Sequence, residues 1–192
     1  GKKVASLDDE TVREYQLPQN YDLALATLLS MHDWSFATVS RKLARVVGIP
    51  AEDMDMTRWR HGWAYPPDAV KVLEVGTTLG LAGPYERFDF SVPHEWDIAN
   101  GPGGKVIRTR HDLACARFLS DAIPTLHWPA PFVAAFTWAL AASITRATNA
   151  YDSDADYRMK QADYSFQRAA AADVGEMGAV PQRHGDGMEA RQ

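Results

Sequence analysis

At 192 residues, with 46% hydrophobic and 23% charged side chains, the chain can build one buried core. Its composition is that of a globular protein, which excludes collagen, coiled-coil and wholly disordered classes. A net charge of -5 disfavours a general nucleic-acid binder working by counterion release, and the single Cys115 excludes a disulfide framework or a multi-thiolate metal site.

The chain opens Gly1-Lys2-Lys3 and runs into Ser6-Leu7-Asp8-Asp9-Glu10, so no secretory signal is expected there. The most apolar stretch, Pro131 to Ile144, is shorter than the ~20 residues of a membrane span. A soluble chain that matures in a reducing compartment such as a cytosol is the expectation.

The first helix is expected over about residues 9–32, with Ser6, Asp8 and Asp9 as capping candidates and a break or kink at Pro18. Tyr21, Leu25, Leu28 and Leu29 recur on one helical face. Residues 34–47 are ambiguous: Phe36 to Ser40 suit a strand, while Leu43, Val46 and Val47 suit a short helix ending at Gly48. From Ile49 to Tyr65 no period holds, and the segment reads as a loop excursion carrying Arg58, Trp59, Arg60 and Trp63.

Residues 66–120 read as a β region. Val70, Val72 and Leu73 to Val75 are β-prone, and Phe88, Phe90 and Val92 alternate with polar residues. Asn100-Gly101-Pro102-Gly103-Gly104 is a strong turn signal. Lys105 to Arg110 and Ala114 to Leu119, flanking His111-Asp112, read as a hairpin. Three or four antiparallel strands are expected in all.

Helix returns at about residues 131–147, introduced by Trp128-Pro129-Ala130-Pro131, with Phe132, Phe136, Leu140 and Ile144 at four-residue spacing. A partner helix at about 153–173 carries the stripe Ala155, Met159, Ala162, Phe166 and Ala169. The pair forms a hairpin around Asn149 that closes on the first helix. From 175 to 192 glycines and scattered charges leave no apolar face, so a flexible arm is expected after a domain spanning 1–174. The expected class is mainly α, of the α+β kind: a helical bundle with a long C-terminal hairpin, a small central antiparallel sheet and an extended tail.

For chemistry, the six histidines include no pair at the spacing of a helical metal site, and neither metal nor cofactor is expected. Asp8-Asp9-Glu10 reads as a helix cap rather than a cation site. Cys115 reads as a small buried thiol, and the glycines 101–104 precede a strand, not the helix that a phosphate cradle needs. Arg58 and Arg60 interleaved with Trp59 and Trp63 suit a protein-interface hot spot, simple loop packing or, less well in an acidic chain, base stacking. An enzyme assembled from scattered residues such as His111, Asp112 and Trp63 is the alternative from another class, and a helical nucleic-acid-binding module using Arg58 and Arg60 is a third.

In order, Ser6-Leu7-Asp8-Asp9, Tyr21-Asp22 through Leu28-Leu29 to His32-Asp33-Trp34-Ser35-Phe36-Ala37, and Leu43-Ala44 resemble the opening of head-to-tail adaptors of short-tailed phages, also called tail tubular protein A. Trp63-Ala64-Tyr65-Pro66-Pro67-Asp68 with Val70 to Val75 resembles the family's Tyr-x-Pro-x-Asp lead into a strand. Phe118, Asp121 and Trp128-Pro129-Ala130-Pro131-Phe132 resemble the entry to its long helix, which carries Leu140-Ala141-Ala142. The resemblance covers Gly1 to about Gly178. It departs at Pro50 to Thr57 and in the helix that the family usually carries before Ser6.

The resemblance implies a non-enzymatic virion protein of the phage neck, a ring of twelve between the portal protein and the tail nozzle that continues the DNA channel. It implies assembly in the host cytoplasm and a C-terminal arm folding onto the portal or a neighbouring subunit. Twelve copies at -5 would give about -60, a surface that DNA slides past by like-charge repulsion rather than binds. The candidate partner-binding residues are therefore Arg58, Trp59, Arg60 and Trp63, with Val180, Pro181, Arg183, His184 and Met188 in the arm.

Overall fold

The computed structural model describes residues 17–47, 58–79, 87–92, 94–101, 103–147 and 152–176. Helix α1 (Leu17–Met31) comes first, followed by strands β1 (Thr38–Lys42), β2 (His61–Ala64), β3 (Ala69–Leu79), β4 (Arg87–Asp89), β5 (Trp96–Gly101), β6 (Gly104–Thr109) and β7 (Ala114–Ser120). A 3-10 turn at Thr125–His127 then leads into helices α2 (Ala130–Ala147) and α3 (Asp152–Glu176).

The strands form two antiparallel sheets, one ordered β1-β7-β3-β4 and the other β2-β6-β5. The chain leaving β1 stitches them together. Leu43 N–H donates to the Ala114 carbonyl at 2.9 Å, while Val46 N–H donates to Gly62 (2.9 Å) and Ala64 N–H to Ala44 (2.8 Å) on the other side. Hydrogen bonding thus passes from one sheet to the next along a single extended segment. β5 and β6 form a hairpin closed at Gly101 and Gly104, and Gly104 takes φ +119°, which favours glycine.

Alternate residues of β7 face opposite ways, which sets three layers. Ala114, Ala116 and Phe118 pack with Val72, Val75, Ile107, Trp63 and Leu43 against the second sheet. Leu119 faces the helices, where it joins Leu25, Leu28, Leu29, Trp34, Phe132, Ala135 and Ala169, with Val70 and Leu73 of β3 beside it. Helices, four-stranded sheet and three-stranded sheet therefore stack in that order. β4 closes on β3 where Gly76 offers no side chain, since a Cβ there would collide with the Asp89 carbonyl and the Phe90 ring.

The expectation of a mainly helical bundle with one small sheet is overturned: three helices share the described residues with seven strands in two sheets. Residues 43–46 are extended, not helical, because their backbone groups are needed by both sheets. His61–Ala64 is a strand rather than loop, and β5 was not foreseen. The segments flanking His111-Asp112 are strands but no hairpin. β6 pairs with β2 and β5, while β7 pairs with β1 and β3.

The helices lie near their expected places. Pro18 stands in the first turn of α1, where the missing N–H has no partner to lose; residues 9–16 lie outside the described residues. In α3, Ala155, Ala162 and Ala169 are buried at seven-residue spacing, which lets α2 approach closely, and Phe166 is half-buried. Met159 is exposed rather than part of the inner stripe. Helix continues to Glu176, past the expected domain limit at 174, and residues 177–192 lie outside the described residues.

Candidate functional site

The Arg-Trp segment sits where β2 joins the second sheet, and its residues part company there. Trp59 (1% exposed) and Trp63 (4%) are core side chains. Trp63 points inward from β2 opposite Ile107, which is also fully buried. Arg58 and Arg60 stay exposed. The Arg58 guanidinium lies 4.9 Å from the centre of the Trp59 ring, and Arg60 N–H donates to the Thr109 carbonyl at 3.1 Å. Arg110 Nε donates to the Arg58 carbonyl at 2.8 Å, which holds the segment against the end of β6. The tryptophans thus anchor a corner whose accessible groups are the two arginines.

Three of the six histidines, His61, His94 and His111, converge on this same corner. His61 and Trp96 both pair with Thr109, one on each side of β6. His94 lies two residues before Trp96, and His111 two residues after Thr109. The His94 and His111 rings lie 3.9 Å apart, and His61 Nε2 lies 2.6 Å from Asp112 Oδ1. Arg45 Nη2 lies 3.0 Å from His61 Nδ1. Burial, then the neighbouring His94 charge, hold His111 below the ordinary imidazole range; the opposing pull of Asp112 is smaller, and His61 adds to the lowering. Among the described residues no group of three His, Cys, Asp or Glu side chains is arranged to hold a metal ion.

A second polar cluster, unforeseen in the sequence, ties α3 to the turn after α1. Asp173 is buried in the last turns of α3 and accepts from Ser35 N–H (3.1 Å) and from the Ser35 hydroxyl. His32 Nε2 lies 3.1 Å from the other carboxylate oxygen. Trp34, Phe132, Ala169 and Asp173 line a crevice of about 10 Å³ here, room for at most one water. The serine, the histidine and the acid all meet at one carboxylate, so the cluster works as a clasp between elements. A nucleophilic relay would need serine and acid on opposite sides of the imidazole. Cys115 is fully buried, and desolvation pushes its thiol up to about 11, which leaves it unreactive.

The remaining feature with functional content is apolar surface. Leu23 and Met31 on α1, Leu126 in the 3-10 turn, Val133 in the first turns of α2, and Tyr157, Tyr164 and Val174 on α3 are all exposed. Val180, Pro181, Arg183, His184 and Met188 lie outside the described residues. Among the described residues no helix is long and apolar enough to cross a membrane. No protein-family model matches the chain, and no curated protein matches it.

Proposed function

We propose that this chain is a structural subunit of a phage neck, a head-to-tail adaptor that assembles as a ring between the portal and the tail nozzle. The ordered run of motifs from Ser6 to Ala142 motivates the reading, and one observation carries it. Large apolar side chains stand exposed on all three helices while the aromatic core beneath them is fully packed. A subunit that touches two neighbours and a portal needs several uncovered faces on a body that does not deform. Tyrosine and methionine, as at Tyr157, Tyr164 and Met31, are enriched at interface cores.

The α2–α3 hairpin suits the role of a wedge. A head-to-tail ring closes only if each subunit contributes the same rotation, and close alanine packing in the hairpin keeps that angle constant. Arg58 and Arg60, exposed at the far corner, and the segment 175–192 are the proposed contributors to contacts with portal or neighbour. The channel would carry DNA without binding it, in keeping with the net charge of -5 per copy.

The test is native mass spectrometry of the full chain mixed with its own phage's portal ring. The adaptor reading expects stoichiometric addition of about 256 kDa, twelve copies of 21.3 kDa, and weaker addition when residues 177–192 are deleted. Failure of the full-length chain to bind any portal ring would overturn it.

A further inference from the structure

Two chain crossings between the sheets, β4 to β5 and β6 to β7, meet at one corner, and a histidine stands on each. His94 ends the first crossing just before β5, and His111 begins the second just after β6. Their rings lie 3.9 Å apart and tilted by 58°, the closest ring pair among the described aromatic contacts. His111 N–H also donates to the Thr109 hydroxyl at 2.8 Å, which fixes the start of its crossing to the end of β6. We propose that the His94–His111 contact is an acid-opened latch. With neutral imidazoles the rings pack and hold the crossings together; with both protonated they repel and release the corner.

The surrounding charges decide whether such repulsion is neutralised. Asp112 adjoins His111 but lies 2.6 Å from His61 and is largely open to water, so its field on the pair is both shared and screened. Asp89, at the end of β4, attracts His94 but already accepts from Ser91 N–H and the Ser91 hydroxyl. Against these two acids stand His61, which adds to the lowering of His111, and the Arg45 guanidinium 3.0 Å from His61 Nδ1. Glu95 and Arg110 are exposed neighbours of opposite sign, and the Arg110 Nε is committed to the Arg58 carbonyl.

The balance in acid is therefore cationic. The sign follows from the folded state's preference for neutral His111. The contact is complete above the ordinary imidazole value of 6.5 and is lost as pH falls through the lower folded value. The latch needs no partner and stands apart from the adaptor reading.

Two measurements on the full chain test it. In an NMR titration of the imidazole signals, His111 should titrate below 6.5, and His94→Gln should raise its midpoint. In hydrogen exchange at pH 7.5 and pH 5, corrected for intrinsic rates, amides of residues 94–97 and 109–113 should gain about tenfold or more in acid. The gain should vanish in His111→Gln, or in His94→Gln if the first variant does not fold. Equal protection at both pH values in the parent chain would overturn the latch. So would an acid gain that persists in the variants, or one shared equally by α2 and α3.

Discussion

The two halves of the core are built from similar residues but differ in how they treat buried polar atoms. On the helix side, Trp34 meets Phe132, Phe36 and Phe166 at ring distances of 4.9–5.9 Å, and Trp128 meets Phe132 and Phe136 at 5.1 and 5.3 Å. Both indoles are satisfied: Trp34 Nε1 donates to the Leu28 carbonyl (2.9 Å) and Trp128 Nε1 to Ile123 (3.2 Å). On the sheet side, the buried Trp63 Nε1 between the sheets and the buried Thr78 Oγ1 near the end of β3 have no partner. An unmade buried hydrogen bond costs more than a made one contributes. The helix half is therefore the rigid body, and the sheet half is where the molecule can yield at least cost. The histidine corner lies in the yielding half.

The comparison can be broken from the strong side first. Trp34→Ala removes the ring at the centre of the aromatic cluster together with its Leu28 bond, and should cost about 3–5 kcal/mol in denaturant unfolding. A loss below 1 kcal/mol would mean that the cluster is not the anchor. Asp173→Ala should cost about 2–3 kcal/mol, because Ser35 N–H and the His32 ring lose a buried acceptor. Asp173→Asn should recover part of that in the same assay, through its remaining carbonyl oxygen.

A smaller effect is expected at the sheet edge. Arg41 donates twice to Asp68, at 2.8 and 3.0 Å, and Ser120 donates to the same carboxylate. The Arg41 bond, ahead of the opposing burial effect, holds the Asp68 carboxyl below its ordinary 3.8. A lowered folded value means stability that is present above 3.8 and lost as pH falls through the folded value. Asp68→Asn should cost about 1 kcal/mol at pH 7. The difference from the parent chain should shrink below pH 3.8, as unfolding curves across pH would record. The sign reverses for Thr78→Val. Replacing an unpartnered buried hydroxyl by an isosteric methyl should raise stability by about 1 kcal/mol, and a measured loss would place a hidden partner on Thr78.

The helices were legible because each carries a single apolar face at helical period: Leu25, Leu28 and Leu29, Phe132 and Phe136, and Ala155, Ala162 and Ala169. The strands were harder for identifiable reasons. β7 is buried on both faces, so Ala114 to Ser120 shows no polar alternation and says nothing of which sheet it joins. β5 contains Asp97, Asn100 and Gly101, poor strand formers, and is held instead by β6 and the Arg108–Asp97 pair at 2.6–2.7 Å. The β6–β7 link is as short as a hairpin turn yet crosses between sheets, a distinction set by pairing with β2 and β3 far away in the chain.

The candidate site was legible in parts. Trp59 and Trp63 stand out in the sequence as interface or loop-packing residues, whereas both are buried in the core, which the Met-rich, unperiodic residues before them obscure. The histidine corner was illegible because strand register, with His61 and Trp96 both opposite Thr109, brings distant residues together where local spacing does not. Asp173 offered one usable signal: an acid in the last turns of an otherwise small-residue stripe is disfavoured by the helix dipole and calls for a partner.

Native-state hydrogen exchange through increasing denaturant tests the contrast between the two halves most directly. Amides of residues 132–145 and 155–172 should exchange only by global unfolding, while those around Trp63, Thr78 and Ile107 should open at lower free energy. Protection between the sheets that equals or outlasts that of the helical hairpin would contradict the account.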